Sequence, residues 1–315
     1  ADAGSPAAAS SLLLVAQAYV DAKQSADAQR LFGDFILRFP ESELRPEVAL
    51  LAARLREDEG DWSEVLRSYE SWLNSFPTNQ LRAQVEFRRA LATARSGAVT
   101  NAYGLFTNFV AQFPDNNDLA ARAQWWVGDF HYGRGAYAEA ELQYKQLFQN
   151  WKTSELAYQA RMMAGRAAVA WKSYENATNH FTSLTSDPKC PPDLRVQALF
   201  AYGGAAMRMS PATNRFEQAR QVFSVIVQEY PTNELVAQAD LHTGVVPLAL
   251  EVGLSGVEAG NQRVAKTSGI PQGITHRRDG TIDTGPLLPL RRAEYGVPPI
   301  EMHAQPPERP GQDSG

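Results

Sequence analysis

The chain repeats one unit of about 37 residues, and this repeat limits its possible folds more than any other feature. Helical patterns break at positions 40, 77, 114, 151 and 188, and each step between them is 37 residues. Proline stands at all of these positions except 151, which is tryptophan. Proline ends a helix because it lacks an N–H and clashes with the preceding turn. A period of this length is typical of solenoid proteins, in which each unit packs on its neighbours.

Each unit contains two helical patterns. In the second pattern, alanine or valine is followed by an aromatic residue four positions later and a large apolar residue three positions after that, as one buried helix face requires. The copies are Ala28/Phe32/Phe35, Val65/Tyr69/Trp72, Ala102/Phe106/Phe109, Ala140/Tyr144/Leu147, Ala177/Phe181/Leu184 and Ala219/Phe223/Ile226. In the first pattern, a leucine precedes a small residue by nine positions, and we expect the small residue to let two helix backbones approach closely. The copies are Leu44/Ala53, Leu81/Ala90, Leu119/Gly128, Leu156/Gly165, Leu194/Gly203 and Leu235/Gly244.

Turn residues agree with this division into helix pairs. Glycines lie between the two helices of three units, where a left-handed cap is needed, at Gly60, Gly97 and Gly135. A residue suited to an N-cap follows each break, and we expect this role of Ser42, Asn79, Ser154, Asp193 and Asn233. The last step, from 188 to 231, is 43 residues, and we place the excess in a longer turn near residues 209–214.

These patterns predict an all-α fold for residues 1–244, a right-handed superhelix of about six helix-turn-helix repeats. A partial seventh helix begins at Leu235. Residues 245–315 hold 9 of the 19 prolines and 10 of the 22 glycines, which predicts a mostly disordered tail of low structure. An alternative is that the tail is foreign to the repeat, through a shifted reading frame or a truncated gene model.

The repeat resembles the tetratricopeptide repeat, with its pattern W-x2-L-G-x2-Y, then A-x3-F, then P. The first unit matches it as Leu12-x2-Val15-Ala16-x2-Tyr19, followed by Ala28-x3-Phe32 and Pro40. The fourth unit matches it as Val127-Gly128, followed by Ala140-x3-Tyr144. The period is longer than the usual 34 residues, and the additional residues lie in the linker after the proline. The resemblance covers roughly residues 8–244.

The linker Phe39-Pro40-Glu41-Ser42 resembles the spacing found in bacterial envelope proteins, notably outer-membrane assembly lipoproteins and the periplasmic coordinator of the Tol–Pal system. The resemblance implies a non-catalytic scaffold or adaptor that binds a protein or peptide segment. It also implies a periplasmic or cell-envelope location, with the cytoplasm as the alternative. A second functional alternative is the superhelical, non-catalytic part of a larger cell-wall enzyme or envelope complex.

Composition and motifs give no support for other classes of function. A net charge of -5 gives no electrostatic reason to expect nucleic acid. The single cysteine, Cys190, and the five histidines show no metal-ligand spacing, and we predict no metal and no cofactor. No apolar run approaches the roughly 18 residues of a membrane span. Residues 260–267 resemble a phosphate loop but carry Ala265 where the motif needs glycine, so nucleotide chemistry at Lys266 is a further alternative.

The first helices of such a solenoid line its concave groove, and this places a set of candidate binding residues. Arginine suits carboxylates and aromatic residues supply contact area, so we expect a partner of acidic character. The predicted groove residues are Arg54, Phe87, Arg95, Arg122, Trp125, Asp129, Tyr132, Gln159, Met162, Arg166, Phe200 and Arg208. The alternative is that the arginines pair with neighbouring carboxylates as ordinary surface.

Two local expectations accompany this set. Trp125 and Trp126 point about 100 degrees apart on a helix, so we expect one to pack on the second helix and the other to line the groove. We expect the acidic cluster at residues 57–59 to be solvated surface. The lysine/asparagine clamp of some family members is absent, because Leu13 and Gln17 occupy the matching positions.

Overall fold

The computed structural model describes residues 6–209 and 213–251, which form thirteen α-helices and contain no strand. The tail from 252 onward, with the candidate phosphate loop and Lys266, lies outside the described residues. The all-α prediction is therefore confirmed for the part that the structure describes. The helices are α1 (Pro6–Asp21), α2 (Ser25–Arg38), α3 (Arg45–Glu57), α4 (Trp62–Ser75), α5 (Arg82–Arg95), α6 (Val99–Gln112), α7 (Asn117–Gly133), α8 (Tyr137–Asn150), α9 (Ala157–Ala170), α10 (Tyr174–Thr185), α11 (Pro192–Arg208), α12 (Thr213–Glu229) and α13 (Val236–Glu251).

The chain divides into two units, residues 1–127 and residues 128–315. In the first unit, each helix from α1 to α6 packs against the next helix along the chain. In the second unit, the same consecutive packing runs from α8 to α13, and α9 also contacts α11. Within each unit the helices thus pack as pairs in the order that the repeat predicts.

The buried face of every second helix is the one that the repeat predicts. The alanine or valine, the aromatic residue and the large apolar residue of all six copies are at most 2% exposed. Each of α2, α4, α6, α8 and α10 begins three residues before its alanine or valine. Burial of these side chains against the preceding and following first helices supplies the hydrophobic cores.

The small residue of the first helix faces an aromatic ring rather than another helix backbone. A Cβ atom at Gly128 would lie 2.6 Å from Cε1 of Tyr144, and one at Gly203 would lie 2.5 Å from Cζ of Phe223. The ring belongs to the second helix of the same repeat in both cases. Glycine is therefore required in these two units, because the aromatic ring occupies the space that a Cβ atom would need.

The turns between paired helices follow the prediction where glycine is present. Gly60, Gly97 and Gly135 have positive φ angles of 77°, 88° and 77°. Lys23 and Lys172 adopt the same left-handed conformation in two units without this glycine, with φ of 58° and 69°. The sequence did not predict this, because a lysine carries no signal for positive φ.

The predicted N-caps are wrong in position, because a tight turn precedes each first helix. The side chain of Ser42 accepts from the backbone N–H of Leu44, and Leu44 is the residue that precedes α3. Asn79 makes the equivalent bond to Leu81, at 2.8 Å. Ser154 and Asn233 behave likewise, and Asp193 lies inside the first turn of α11. The side chains of Ser42, Asn79, Ser154 and Asn233 therefore stabilise the turn that leads into the helix.

The longest unit places part of its excess in a helix. α12 begins at Thr213, six residues before Ala219, whereas the other second helices begin three residues before the matching position. The excess thus adds most of a turn to α12, and the connection at 209–212 is no longer than the one at 58–61, so the predicted longer turn is not found. α13 begins next to Leu235, as expected, and continues to Glu251, past the predicted domain end at 244.

Candidate functional site

The predicted groove residues lie on first helices, and five of them are buried. Phe87 packs edge-on against Phe106 and Phe109, with ring centroids 5.6 and 5.7 Å apart. Phe200 packs in the same way against Phe223, at 5.6 Å. The apolar members of the set therefore belong to the cores, because the buried face of a first helix is wider than the sequence pattern suggested. The buried members are Phe87, Trp125, Asp129, Met162 and Phe200.

The adjacent tryptophans of α7 are both buried, so the expectation that one of them lines an open surface is wrong. Trp126 stacks on Phe106 with ring centroids 4.5 Å apart. Trp125 is only 4% exposed. The exposed candidate surface is consequently polar, and its arginines carry most of its chemistry.

Two arginines contact the carboxylate of Glu57 in the first unit, and a third lies nearby. Arg88 donates to both oxygens of Glu57 at 3.2 and 3.3 Å, and Arg95 lies 3.4 Å from Oε2. Arg54, one turn before Glu57 on α3, is exposed and lies within electrostatic range of Arg88. These contacts join first helix α3 to first helix α5. We call Arg54, Arg88 and Arg95 the arginine cluster.

Glu57 is mostly buried, which corrects its assignment to solvated surface. Its side chain is 12% exposed, and the hydroxyl of Tyr69 donates a short hydrogen bond to it. Burial and the neighbouring Glu57 carboxylate raise the pKa of Tyr69 well above its usual range. The tyrosine therefore stays protonated and remains a donor. Glu57 thus holds the arginine cluster to the core of the unit.

The arginine cluster carries an excess of positive charge. Partial burial of its side chain and the neighbouring Arg88 guanidinium lower the pKa of Arg54, whereas Glu57 and Asp58 act in the opposite direction. The three positive charges of the cluster thus outnumber these two carboxylates near Arg54. The guanidinium of Arg95 also lies over the ring of Trp62, 5.6 Å from its centroid. This contact and the Glu57 ion pair hold Arg95 in place while part of its side chain stays exposed.

The remaining candidate residues do not belong to the arginine cluster. Arg122 pairs with Asp118 on its own helix at 2.9 Å, which fits the interpretation of an ordinary surface ion pair. In the second unit, Arg166 donates to Gln197 at 3.2 Å and so connects α9 to α11. Arg208 donates to the carbonyl of Gly204 at 3.5 Å. Tyr132 contacts the ring of Tyr137 at 5.2 Å, and Gln159 is half-buried on α9.

Sequence reasoning missed Arg88 and the role of Glu57. Arg88 precedes Arg95 by seven residues, so the two lie on one helix face, and this spacing was a usable signal. The burial of Glu57 was indicated more weakly. Most units have phenylalanine at the position of Tyr69, and a buried tyrosine hydroxyl needs a hydrogen-bond acceptor such as this carboxylate.

A metal site and a membrane-spanning helix each place requirements on the described residues. No group of three or more His, Cys, Asp or Glu side chains among them could hold a metal ion. None of the described helices has the length and apolar content needed to cross a membrane. Cys190 is buried, its thiol lies near the carbonyl of Pro191, and burial raises the pKa of the thiol.

Comparison with known proteins supports the repeat at the start of the chain. Residues 10–42 match the family model of the tetratricopeptide repeat. No curated protein matches the chain. The matched residues span most of the first helix pair, α1 and α2.

Several solved structures are similar to this chain at low sequence identity. A tetratricopeptide repeat protein from Parabacteroides merdae has 16% identity and a TM-score of 0.48, with 84% of this chain and 94% of that chain covered. Pseudomonas aeruginosa pilF has 12% identity and a TM-score of 0.46, with 74% and 97% covered. PilW, described as a widely conserved type IV pilus biogenesis factor, has 13% identity and a TM-score of 0.45, with 74% and 99% covered.

Proposed function

We propose that the chain is a non-catalytic scaffold that binds a segment of another protein on the face formed by its first helices. The arginine cluster carries this proposal. It is the place where side chains of two successive first helices converge and where positive charge remains in excess. A repeat protein binds its partners through such a continuous face, because each repeat adds one helix to it.

The chemistry of the arginine cluster favours a partner with carboxylate side chains. Guanidinium groups bind carboxylates through two parallel hydrogen bonds, which gives both strength and orientation. Glu57 holds Arg88 and Arg95 in position before a partner arrives, so less side-chain entropy is lost on binding. The exposed Arg54 is the group that a partner reaches first. An acidic segment that crosses α3 and α5 would satisfy these groups together.

We also propose the cell envelope as the compartment of this scaffold. The support is the resemblance of the Phe39-Pro40-Glu41-Ser42 linker to those of bacterial envelope proteins. Fractionation of source cells with an antibody against the chain tests this assignment. Recovery with periplasmic or membrane markers supports it, and recovery with cytoplasmic markers rejects it.

Comparative affinity capture tests the scaffold. The full chain is immobilised as wild type, as the double variant Arg54→Glu/Arg95→Glu, and as the control Arg30→Glu/Arg220→Glu. The control residues lie on second helices and make ion pairs with residues three positions away, so the change of charge is the same. Proteins from source cells are identified by mass spectrometry. Proteins retained by wild type and control but lost from the double variant support the proposal; identical sets on all three baits reject it.

A further inference from the structure

A trough lies on another face of α3, between α2 and α4. Its volume is about 370 Å³. Ala49, Ala52 and Ala53 line it along α3 and are called its alanine floor, and Trp72 lines it from α4. The remaining lining residues are Ile36, Arg45, Arg56, Glu64, Arg67, Ser68, Ser71, Ser75 and Phe76. We call this cavity the α2–α4 trough.

Arg45 and Arg56 are the first and the last residues of α3 that line the α2–α4 trough, so an arginine lies at each of its ends. Arg45 and Arg56 are eleven residues apart on α3, which is ~16 Å at 1.5 Å per residue. At one end the guanidinium of Arg45 lies over the ring of Phe76, 5.7 Å from its centroid. At the other end Arg56 donates to Glu64 at 3.0 Å and to Ser68 at 2.8 Å. An extended peptide covers this length in about five residues.

The charges of the trough do not balance. Glu64 forms ion pairs with both Arg56 and Arg67 and is the only carboxylate among the lining residues. Arg45 donates to the carbonyl of Pro40 at 3.1 Å, which leaves its positive charge uncompensated by a carboxylate of the lining. Three guanidinium groups therefore face one carboxylate.

The next repeat does not share this imbalance of charge. Arg82 stands 37 residues after Arg45 and makes the same bond to a carbonyl, that of Pro77, at 2.7 Å. Arg82 also pairs with Glu86, and the position matching Glu86 in the trough is Ala49. The positions matching Arg56 and Arg67 are Thr93 and Gly104. The next repeat thus keeps the arginine that matches Arg45 but lacks the excess positive charge of the trough.

We infer that the α2–α4 trough binds an extended acidic segment of a protein. A carboxylate of the segment meets Arg45 at one end, and a second carboxylate, about four residues along, meets Arg56 and Arg67 at the other. Small apolar side chains between the two carboxylates lie on the alanine floor. Ser71 and Ser75 also line the trough, and their hydroxyls supply hydrogen-bonding groups for the peptide backbone.

This site is separate from the arginine cluster of the proposed function. Arg45, Ala49, Ala52 and Arg56 repeat at intervals of three and four residues and so form one face of α3. Arg54 and Glu57 are three residues apart and lie on another face. A scaffold with both sites holds two partner segments on opposite sides of one helix.

Fluorescence anisotropy with a defined probe tests the inference on the full chain. The probe is a fluorescein-labelled, end-blocked peptide Glu-Ala-Val-Ala-Glu, compared with its lysine counterpart Lys-Ala-Val-Ala-Lys. We expect saturable binding of the acidic peptide and an affinity for the lysine peptide that is weaker by at least about tenfold, because its charges are repelled by the arginines. Absence of saturable binding, or equal binding of the two peptides, overturns the inference.

Two charge reversals then locate the peptide. Arg67 is 72% exposed and pairs with a carboxylate three residues away, and Arg30 is 67% exposed and pairs in the same way on α2, outside the trough. We expect Arg67→Glu to weaken binding at least about tenfold and Arg30→Glu to change it less than about twofold. Equal effects of the two variants overturn the inference. Loss of binding in Arg54→Glu but not in Arg67→Glu assigns the peptide to the arginine cluster and also overturns it.

A competition experiment distinguishes a peptide site from a site for small anions. Succinate and inorganic phosphate are added at the concentration at which unlabelled peptide displaces half of the probe. Displacement by the unlabelled peptide alone supports a peptide trough. Equal displacement by either small anion overturns that assignment.

Discussion

The hydroxyl of Tyr144 donates a hydrogen bond of 2.5 Å to the carboxylate of Asp129, and both residues are buried in the second unit. Tyr69 makes the equivalent bond to Glu57 in the first unit. The other four copies of this aromatic position are phenylalanine. Their first helices carry no carboxylate at the positions that correspond to Asp129 and Glu57. The tyrosines and the buried carboxylates therefore occur together.

Replacement of Tyr144 by phenylalanine should destabilise the chain by about 1.5–3 kcal/mol, the usual range for a hydrogen bond to a charged group. The ring itself is preserved, so the core keeps its packing. Urea denaturation monitored by circular dichroism gives the change in the free energy of unfolding. A double-mutant cycle with Asp129→Asn isolates the interaction between the pair. A coupling energy near zero would show that this bond does not stabilise the fold.

Replacement of two helical glycines by alanine should change the stability of the chain in opposite directions. At Gly165 an added Cβ would lie 2.7 Å from Cζ of Phe181, so Gly165→Ala forces the ring to move and should cost about 1–3 kcal/mol. At Gly33, inside the exposed face of α2, an added Cβ meets nothing within 4 Å. Gly33→Ala should therefore stabilise the chain by up to about 1 kcal/mol through helix propensity. Thermal unfolding of the two variants, one rising and one falling in Tm, checks both expectations.

The sequence predicted the parts of this structure that recur in every unit. The spacing of Ala177, Phe181 and Leu184, and of their counterparts, identified the buried faces because a helix core needs such side chains at fixed intervals. It did not predict the partners of charged groups. Glu57 and Arg88 are 31 residues apart in sequence and lie on different helices. No other repeat has a carboxylate at the position of Glu57, so the repeat pattern could not predict this contact. The burial of Phe87 and Phe200 was not predicted either. On a first helix the positions that face the groove lie next to those that face the core, so an apolar residue fits both assignments.

Removal of the Glu57 charge should destabilise the first unit more than removal of a comparable carboxylate. Glu57→Gln removes the negative charge from two ion pairs between α3 and α5. The guanidinium groups of Arg88 and Arg95 then lie close together without a carboxylate between them. We expect a loss of about 1–3 kcal/mol in the free energy of unfolding, the range for a buried polar group deprived of its partner. Glu86 is similarly buried but pairs only with arginines of its own helix. Glu86→Gln should cost less than about 1 kcal/mol, and equal losses in the two variants would contradict a bridging role for Glu57.

Acidification should weaken the second unit through its histidines. Burial and the nearby Arg208 lower the pKa of His242, whose ring stacks on Phe223 at 4.9 Å. Burial also lowers the pKa of His180, against the opposing effect of Glu141, with Arg161 and Lys145 adding to the decrease. A histidine with a lowered pKa is neutral in the folded chain, while the unfolded chain takes up a proton below about pH 6.5. Stability is thus fully present above that pH and is lost as the pH falls.

The slope is at most about 1.4 kcal/mol per pH unit for each such histidine, because one proton is bound by the unfolded state alone. Urea denaturation at pH 7, 6 and 5 measures it. In His242→Phe the stack on Phe223 remains aromatic but cannot be protonated, so the slope between pH 6 and 5 should decrease. His180→Gln should decrease it less, since the hydrogen bond with Glu141 partly offsets the effect of burial at that site. A slope that both substitutions leave unchanged would mean that other groups control the acid sensitivity of this unit.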